Sequence, residues 1–511
     1  MSAGHVFESM DEPAVVRLAD YLALKLQPGD LVLLSGELGA GKTTFARAVV
    51  RAVMGDLTHD VPSPSFSLVQ NYEGGRLALA HFDFYRLKGG DELEELGLYD
   101  ALNEGAALIE WPERAIDALP RDRLEISFGD GAGPDTRRLT LTGHGSWKDR
   151  CERLVSLMDF CAASSWHDAR PVFLQGDASA RSYARLHRKG ETVILMDSPP
   201  KPDGPPIRDG KPYSALVHLA EDVVPFVAVA HALEGAGLCV PSIIEFDLGQ
   251  GFLLTSDLGD RVYSNEVGDD PALEDLCRLA VDVLVHLTKY PPVDPLPLPD
   301  GTAHAVPLFD LDAFLVEAEL LLDWFYPAVH GMAVSSSVRD DFLEAFKGLY
   351  ASVEGKDPAW VLRDYHSPNL MWLPGNDGMA RVGVIDFQDA MLGHAAYDAV
   401  SLLQDARRDI PAALEGVLYD HYCEARAGAD SDFDAQAFAA AYAVFGAQRN
   451  SKILGIFARL AKRDGKHGYL AHIPRVSDYL ERDLAHPALG NLRVWFDEHL
   501  PADKRTQELA L

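Results

Sequence analysis

The sequence predicts two unlike folds in series: an α/β module over residues 1–146, then an α+β bilobal module over residues 169–511, joined by a helix over 147–168. Three observations carry this. The first part alternates apolar strand-like runs with stretches of helical spacing, the order of a parallel sheet. From about residue 170 three short runs follow one another with turns between them, the order of an antiparallel sheet. From residue 271 the chain reads as mostly helical, apart from 358–390.

Composition excludes several classes. The 511 residues are 47% hydrophobic and 24% charged, ordinary for a folded chain. The formal net charge of -32 works against broad binding to nucleic acid, so any role on RNA runs indirectly. Five cysteines are scattered without a CxxC pair, which suggests neither a disulfide framework nor a zinc site. The N-terminus lacks an apolar signal core, and no run approaches the roughly 20 apolar residues of a membrane span. The expectation is a cytoplasmic protein with no membrane association.

The elements follow in order. Residues 12–26 place Val15, Leu18, Ala19 and Leu22 on one helical face. "DLVLLSG" is a buried strand ending at Gly36, and "KTTFARAVVRAVM" resumes helical spacing. "LALAHFDFY" and "AALIEW" read as further parallel-sheet strands. "RLEISFG" and "RRLTLTG" flank a turn cluster and close the first module near residue 145. "KDRCERLVSLMDFCAAS" is an amphipathic helix. "PVFLQGD", "SYARLHR" and "TVILMDS" begin a small lobe, about 169–260, followed by a Pro/Gly loop and a helix over 213–235. "SIIEFD" and "GFLLTSD" complete that lobe, and a larger lobe fills about 261–511.

The first motif is Gly36-Glu37-Leu38-Gly39-Ala40-Gly41-Lys42-Thr43, followed by Thr44. It fits G-x-x-x-x-G-K-[ST] between a strand and a helix, the arrangement in which backbone N–H groups surround phosphate oxygens. Lys42 would reach the β and γ phosphates of ATP, and Thr43 would hold Mg²⁺. Hydrolysis needs a carboxylate beside the metal or the attacking water. Asp83 and Glu110 end apolar strands and are the candidates; a structural ion pair or a helix cap is the alternative for each. A small-molecule kinase is the competing reading, but no arginine-bearing lid is evident.

"GELGAGKTTFARA", "VPSPSFSLVQNYE", "HFDFYRL", "ELEELGLYD" and "LIEWPER" occur in that order over about residues 5–145. Together they resemble the TsaE family, P-loop ATPases of bacterial tRNA threonylcarbamoyladenosine synthesis. The resemblance implies an α/β P-loop NTPase fold, ATP and Mg²⁺, and action with the TsaB–TsaD pair on adenosine 37 of tRNA. It also implies roles for Asp83 and Glu110, a switch segment at Ser65, and a ring near the adenine at Trp111.

The second motif is Asp364 followed by Asn369, with Asp386 in "VIDFQ" further on. This is the D-x-x-x-x-N and D-F-x layout of kinase-type phosphoryl transfer. Asp364 would orient the attacking hydroxyl and accept its proton; Asn369 and Asp386 would hold Mg²⁺ against the phosphates of ATP. "GDASARSYARL" occupies the place of a phosphate-covering loop, with Ser179 and Arg181 as its candidate ligands. Met196 stands where the third strand would carry a phosphate-binding lysine; Arg181, Arg185 or Lys201 are candidate substitutes.

"DASARSYARL", "VILMDSPP", "RDYHSPNLM" and "GVIDFQDAMLGHAAYDAVSLLQDARRDI" resemble the aminoglycoside phosphotransferase superfamily over about 165–495, and within it the AmgK group. The resemblance implies a kinase-like (aminoglycoside phosphotransferase) fold and phosphorylation of the anomeric hydroxyl of an amino sugar, N-acetylmuramate or N-acetylglucosamine. Leu362 departs from the histidine that usually opens the catalytic motif. Asp405 and Arg449 are the favoured acceptor-side residues, on helices that also read as ordinary polar faces. Choline, an aminoglycoside or another small alcohol remains open as acceptor, as does a non-catalytic, ATP-sensing partner module.

Overall fold

The computed structural model describes residues 4–87, 89, 92–175, 181–201, 204–266, 272–507 and 509. The chain forms two compact units: Met1–Pro199 with Ile244–Asp257, and Pro200–Ile243 with Leu258–Leu511.

In the first unit, β1 (His5–Met10) leads into α1 (Glu12–Lys25), capped by the Asp11 carboxylate accepting from Ala14 N. Next come β2 (Leu31–Gly36), α2 (Lys42–Met54), β3 (Val69–Tyr72), β4 (Ala78–Asp83), α3 (Leu98–Glu104), β5 (Gly105–Glu110), β6 (Arg123–Asp130) and β7 (Arg137–His144). They form a seven-stranded sheet in the order β1-β7-β6-β2-β5-β4-β3. β2 lies parallel to both β5 and β6. Its following loop therefore leaves the carboxyl ends of parallel strands, where α/β folds place ligands. β1 and β3, both antiparallel edge pairings, are elements that sequence patterning did not mark. β1 exposes alternate residues and β3 has only four, too little for a periodic signal.

α4 (Trp147–Ala163) then leads to a five-stranded sheet ordered β13-β14-β10-β9-β8. Its strands are β8 (Arg170–Leu174), β9 (Ser182–Arg188) and β10 (Glu191–Asp197). After a ribbon of the second unit, β11 (Pro206–Arg208) with β12 (Lys211–Pro212), the sheet is completed by β13 (Ile243–Asp247) and β14 (Phe252–Ser256). One apolar cluster runs through both sheets of this unit, joining Leu18 and Leu22 of α1, Leu154 and Leu157 of α4, Leu186, Leu195 and Leu254. Each such side chain contributes roughly 1.5–3 kcal/mol on burial. Polar ties accompany it. Arg170 holds the buried Asp20 carboxylate with two bonds of 2.8 Å, and Arg150 holds Asp30 with two of 2.6 Å. Lys25 and Arg153 both pair with Asp197.

The second unit begins with α5 (Tyr213–Leu216) and α6 (Val224–Gly235). The expected single helix over 213–235 is thus two pieces. His218 is left-handed at φ 54°, and Pro225 removes the N–H that a continuous helix would need. α7 (Leu273–Leu287) follows, then the ribbon β15 (Leu296–Pro297) with β16 (Ala303–His304), and α8 (Leu311–Ala318). A π-helical turn, Leu321–Phe325, leads to α9 (Tyr326–His330) and α10 (Ser336–Val353). Two hairpin-like pairs come next. β17 (Pro358–Val361) pairs with β20 (Met391–His394), and β18 (Leu370–Trp372) pairs with β19 (Val382–Val384). The rest is helical: α11 (Ala396–Leu403), α12 (Ala412–Ala429), α13 (Ala435–Asp464), α14 (Ile473–Leu484), α15 (Gly490–His499) and α16 (Ala502–Arg505). α13 runs through the core, buried almost continuously from Ala441 to Gly455. Gly455 permits this, because a Cβ there would meet the Leu320 carbonyl carbon at 2.2 Å. No described helix is long and apolar enough to cross a membrane.

Candidate functional site

In the first unit the loop after β2 closes on itself. Gly39 and Gly41 take φ of 80° and 106°, and Gly36 takes 142°, the conformations that turn successive N–H groups inward. A Cβ on Gly36 would meet Phe128 O at 2.6 Å. Leu38 at the loop tip is exposed. Lys42 Nζ donates to Gly36 O at 2.7 Å and Glu37 O at 2.8 Å, and it sits over the Trp111 ring, 3.8 Å from the centroid. Burial pushes the Lys42 ammonium down, against the opposing pull of Glu110, Glu113 and Asp83. Ala40 O accepts from Arg137 Nε at 3.2 Å.

β4 and β5 run parallel in register, with Asp83 beside Glu110. Both sequence candidates therefore end at the same edge as the loop. Thr43 Oγ1 donates to Glu110 Oε2 at 2.8 Å, and His81 Nε2 faces Glu110 Oε1 at 2.9 Å. Asp83 accepts from Tyr85 N at 2.9 Å. Thr43 and Glu110 are thus positioned to hold one divalent cation between them, with Asp83 next to them. Trp111 is left-handed, φ 60°, a strained state for a large side chain, and packs on Tyr85. The structure sets its ring at the lysine end of the loop. Thr44 is exposed on the first turn of α2. His81 was not marked by sequence reasoning; a histidine inside an apolar strand, two residues before Asp83, is the signal that was there.

In the second unit β18 and β19 bring the second motif together. Asn369 Nδ2 donates to Asp364 O at 3.0 Å and lies 3.5 Å from Asp386 Oδ2. Ile385 N donates to Asn369 O at 3.0 Å, locking the two halves of the motif. Gln388 Nε2 donates to the other Asp386 oxygen at 2.9 Å. Arg363 and Asp386 are both left-handed, at φ 72° and 60°. Such strain persists only where surroundings over-determine it. For Arg363 they do. Its N–H donates to Asp398 at 3.0 Å, its carbonyl accepts from Arg449 at 2.8 Å, and its guanidinium bonds Val217 O and Glu317.

Asp364 projects from this loop with its side chain partly exposed. Desolvation pushes its carboxyl up, but His366, Lys452, Arg449 and Arg363 outweigh that and hold it well below the usual carboxylate range. Arg449 Nη2 is 3.8 Å from Asp364 Oδ1. The fully buried Glu317 carboxylate balances this cationic surround, accepting from Lys452 at 2.8 Å and Gln448 at 3.2 Å. Glu317 and Lys452 escaped sequence reasoning, although a lone acid inside the apolar run "AFLVEAELLL" requires a buried partner.

The remaining candidates are placed as follows. Asp405 is 2% exposed; it accepts from Ser367 N at 2.8 Å, Ser367 Oγ at 2.5 Å and Arg407 N at 2.8 Å, so it clasps the catalytic loop from beneath. Arg449, buried on α13, bonds the same loop. Leu362 N donates to Asp398 at 2.5 Å, a backbone clasp that needs no particular side chain at 362. Met196 is buried in β10 opposite Tyr183 and Leu253, and Arg185 pairs with Asp257. Arg181 is half-buried just before β9. Ser179 lies outside the described residues.

A glycine-rich phosphate loop leaving the parallel strands of a mixed sheet defines a P-loop nucleotide-binding module. An Asp–Asn–Asp loop and hairpin beneath a helical core defines a kinase-like phosphotransferase module. The comparisons agree. Residues 9–139 match the family described as threonylcarbamoyl adenosine biosynthesis protein TsaE, and residues 172–433 match the phosphotransferase enzyme family. The chain is 37% identical over 365 residues to an N-acetylmuramate/N-acetylglucosamine kinase of Caulobacter vibrioides, covering 69% of this chain and 98% of that one. It is 36% identical over 184 residues to the tRNA threonylcarbamoyladenosine biosynthesis protein TsaE of Rickettsia conorii, covering 36% of this chain and 99% of that one. The TsaE of Bacillus subtilis is 38% identical over 139 residues, 27% of this chain and 85% of that one. The chain belongs to the TsaE family in its N-terminal part and to the phosphotransferase enzyme family in the rest. Both are ATP-utilising families.

Proposed function

We propose that the chain is a bifunctional enzyme, with an ATPase module over 1–146, a linker helix over 147–168 and a sugar kinase over 169–511. The carrying observation is that it holds two separate phosphate-handling constellations, each assembled from its own loop and strands. In the first, Lys42 and the loop backbone bind the ATP phosphates, Thr43 and Glu110 hold Mg²⁺, and Asp83 and Glu110 serve the attacking water. Its action is in the cytoplasm, on the TsaB–TsaD pair, and reaches tRNA only through those partners.

In the second, Asn369 and Asp386 hold Mg²⁺ and Asp364 orients the acceptor hydroxyl. A carboxylate held ionised is suited to orienting the hydroxyl and taking its proton late, when it has become acidic through bonding to phosphorus. The acceptor is the anomeric hydroxyl of N-acetylmuramate or N-acetylglucosamine, a reading supported by relatives named for those sugars. Asp405 and Arg449 act at the acceptor side by fixing the loop that carries Asp364.

Transfer of labelled phosphate from ATP to either sugar tests the assignment. Asp364→Asn should abolish transfer and leave sugar-independent ATP hydrolysis; Lys42→Ala should do the reverse. Transfer to choline or an aminoglycoside instead would replace the acceptor. Loss of transfer in Lys42→Ala would refute two independent sites.

A further inference from the structure

Beside the Asp364 loop, in the second unit, basic side chains gather although the chain as a whole carries a net charge of -32. Arg407 lies in the turn that follows α11. His472 ends a short helical turn, His467–His472, and Arg475 begins α14 directly after it. Arg475 Nη1 donates to Ala406 O at 3.0 Å and lies 3.3 Å from His472 Nδ1, which ties the two segments together. Burial, and then the charges of Arg475 and Arg407, push the His472 imidazole down, as close cations do. Of the nearby acids, Asp409 is exposed and 3.4 Å from Arg475 Nε. Asp405 is buried, with its oxygens on Ser367 and on the backbone N–H groups of Arg407 and Arg408.

The adjacent arginines are used differently. Arg408 donates to Tyr263 O and to Glu266 O, the latter at 2.7 Å. Arg407 is exposed. Among the described residues its side chain forms no ion pair and one hydrogen bond, from Nη1 to His366 Nε2 at 2.9 Å. His366 is buried and pushed down to about 4, so its ring is neutral near pH 7 and accepts that bond. The same His366 nitrogen is 3.8 Å from Asp364 Oδ1. The Arg407 guanidinium therefore stands within the breadth of a sugar ring from the carboxylate proposed to orient the acceptor hydroxyl.

The chemistry of the two proposed acceptors differs in one group. N-acetylmuramate carries a lactyl ether on C3 that ends in a carboxylate, where N-acetylglucosamine has a hydroxyl. With the anomeric hydroxyl at Asp364, that carboxylate projects from a carbon two places round the ring. A guanidinium's planar fork matches a carboxylate, and charge-assisted pairs of this kind are the strong ones. We propose that Arg407, with His472 and Arg475 beside it, recognises the acceptor's carboxylate and so sets a preference for N-acetylmuramate over N-acetylglucosamine. The inference rests on the sugar-kinase reading above.

The test compares kcat/KM of the full chain for N-acetylmuramate, its methyl ester and N-acetylglucosamine. Arg407→Ala should lower the ratio of N-acetylmuramate to N-acetylglucosamine at least about tenfold, mainly through the KM for N-acetylmuramate. Arg407→Lys keeps the charge without the fork and should restore part of that ratio. In the parent chain the ester, which has lost the charge, should fall behind N-acetylmuramate by a similar factor. In Arg407→Ala the gap between acid and ester should close, since residue and carboxylate are then two halves of one interaction. An unchanged ratio in Arg407→Ala, with both sugars falling alike, would show that Arg407 acts only through His366 and the loop, and would overturn the proposal. Transfer to neither sugar by the parent chain would instead overturn the sugar-kinase reading, and this inference with it.

Discussion

Glu110 does two things at once. One oxygen accepts from Thr43 and the other faces His81, so the carboxylate is already held against the phosphate loop at Thr43. Its proposed contribution is electrostatic and falls on the hydrolysis step, since in the same proposal Lys42 and the loop amides hold the phosphates. Glu110→Gln should therefore lower ATP hydrolysis at least about 100-fold while ADP affinity stays within about threefold. Steady-state hydrolysis beside an ADP titration checks this; equal losses in both would mean that Glu110 shapes the loop. On the kinase side Asp405 has the corresponding supporting position. Asp405→Ala would leave the Ser367 N–H unpaired in a buried site, at a cost of about 1–3 kcal/mol to the loop. Sugar transfer should fall mainly in kcat, with the KM for ATP little changed.

At the scale of elements, strained backbone marks both sites. Trp111, Arg363 and Asp386 are left-handed residues at the ends of β5, β17 and β19. Each turns the chain where a strand has ended; Trp111 and Asp386 are left half-buried there, whereas Arg363 is buried against Val217 O and Glu317. β20 carries a different device. His394 is buried there, and its Nδ1 accepts from Ala396 N at 3.0 Å, which starts α11. Burial pushes His394 down to about 4 from its ordinary value near 6.5. The folded state thus binds its proton less readily than the unfolded chain does. Its stabilisation is complete above pH 6.5 and is lost as pH falls toward 4, by about 3 kcal/mol in all. His366, also buried and pushed down to about 4, acts in the same window, while burial that raises Asp398 to about 7 opposes both. The difference in melting temperature between the parent chain and His394→Gln should therefore change between pH 6.5 and 4, which paired thermal melts across that range would show.

At the scale of the whole molecule, the compact units do not coincide with the two chemistries. The small antiparallel sheet of the kinase shares one apolar cluster with the P-loop module. Asp197, next to Met196 in β10, is paired by Lys25 of α1 and Arg153 of α4. Removing residues 1–146 takes away α1, uncovers part of that cluster and leaves Arg170 without Asp20. The chain 147–511 should melt several degrees below the full chain, since about 1 kcal/mol shifts a midpoint by a few degrees in larger domains. It should also bind a hydrophobic dye that the full chain excludes. An unchanged melting temperature for the phosphotransferase transition would show that the shared cluster does not support it.

The sequence by itself determined the two motifs, the strands and helices that bear them, and the families. Phosphate loops and catalytic loops are local: their glycines, lysine and carboxylates act at fixed short spacings, so order along the chain is enough to read them. Only the tertiary structure decided that His81 faces Glu110 and that Trp111 lies over Lys42. It also decided that Glu317 and Lys452 sit behind Asp364, and that Arg170 pairs with Asp20. Those contacts join residues dozens to more than a hundred positions apart. Their formation depends on which strands pair and which helix faces are buried, and a single chain's periodicity carries no record of that.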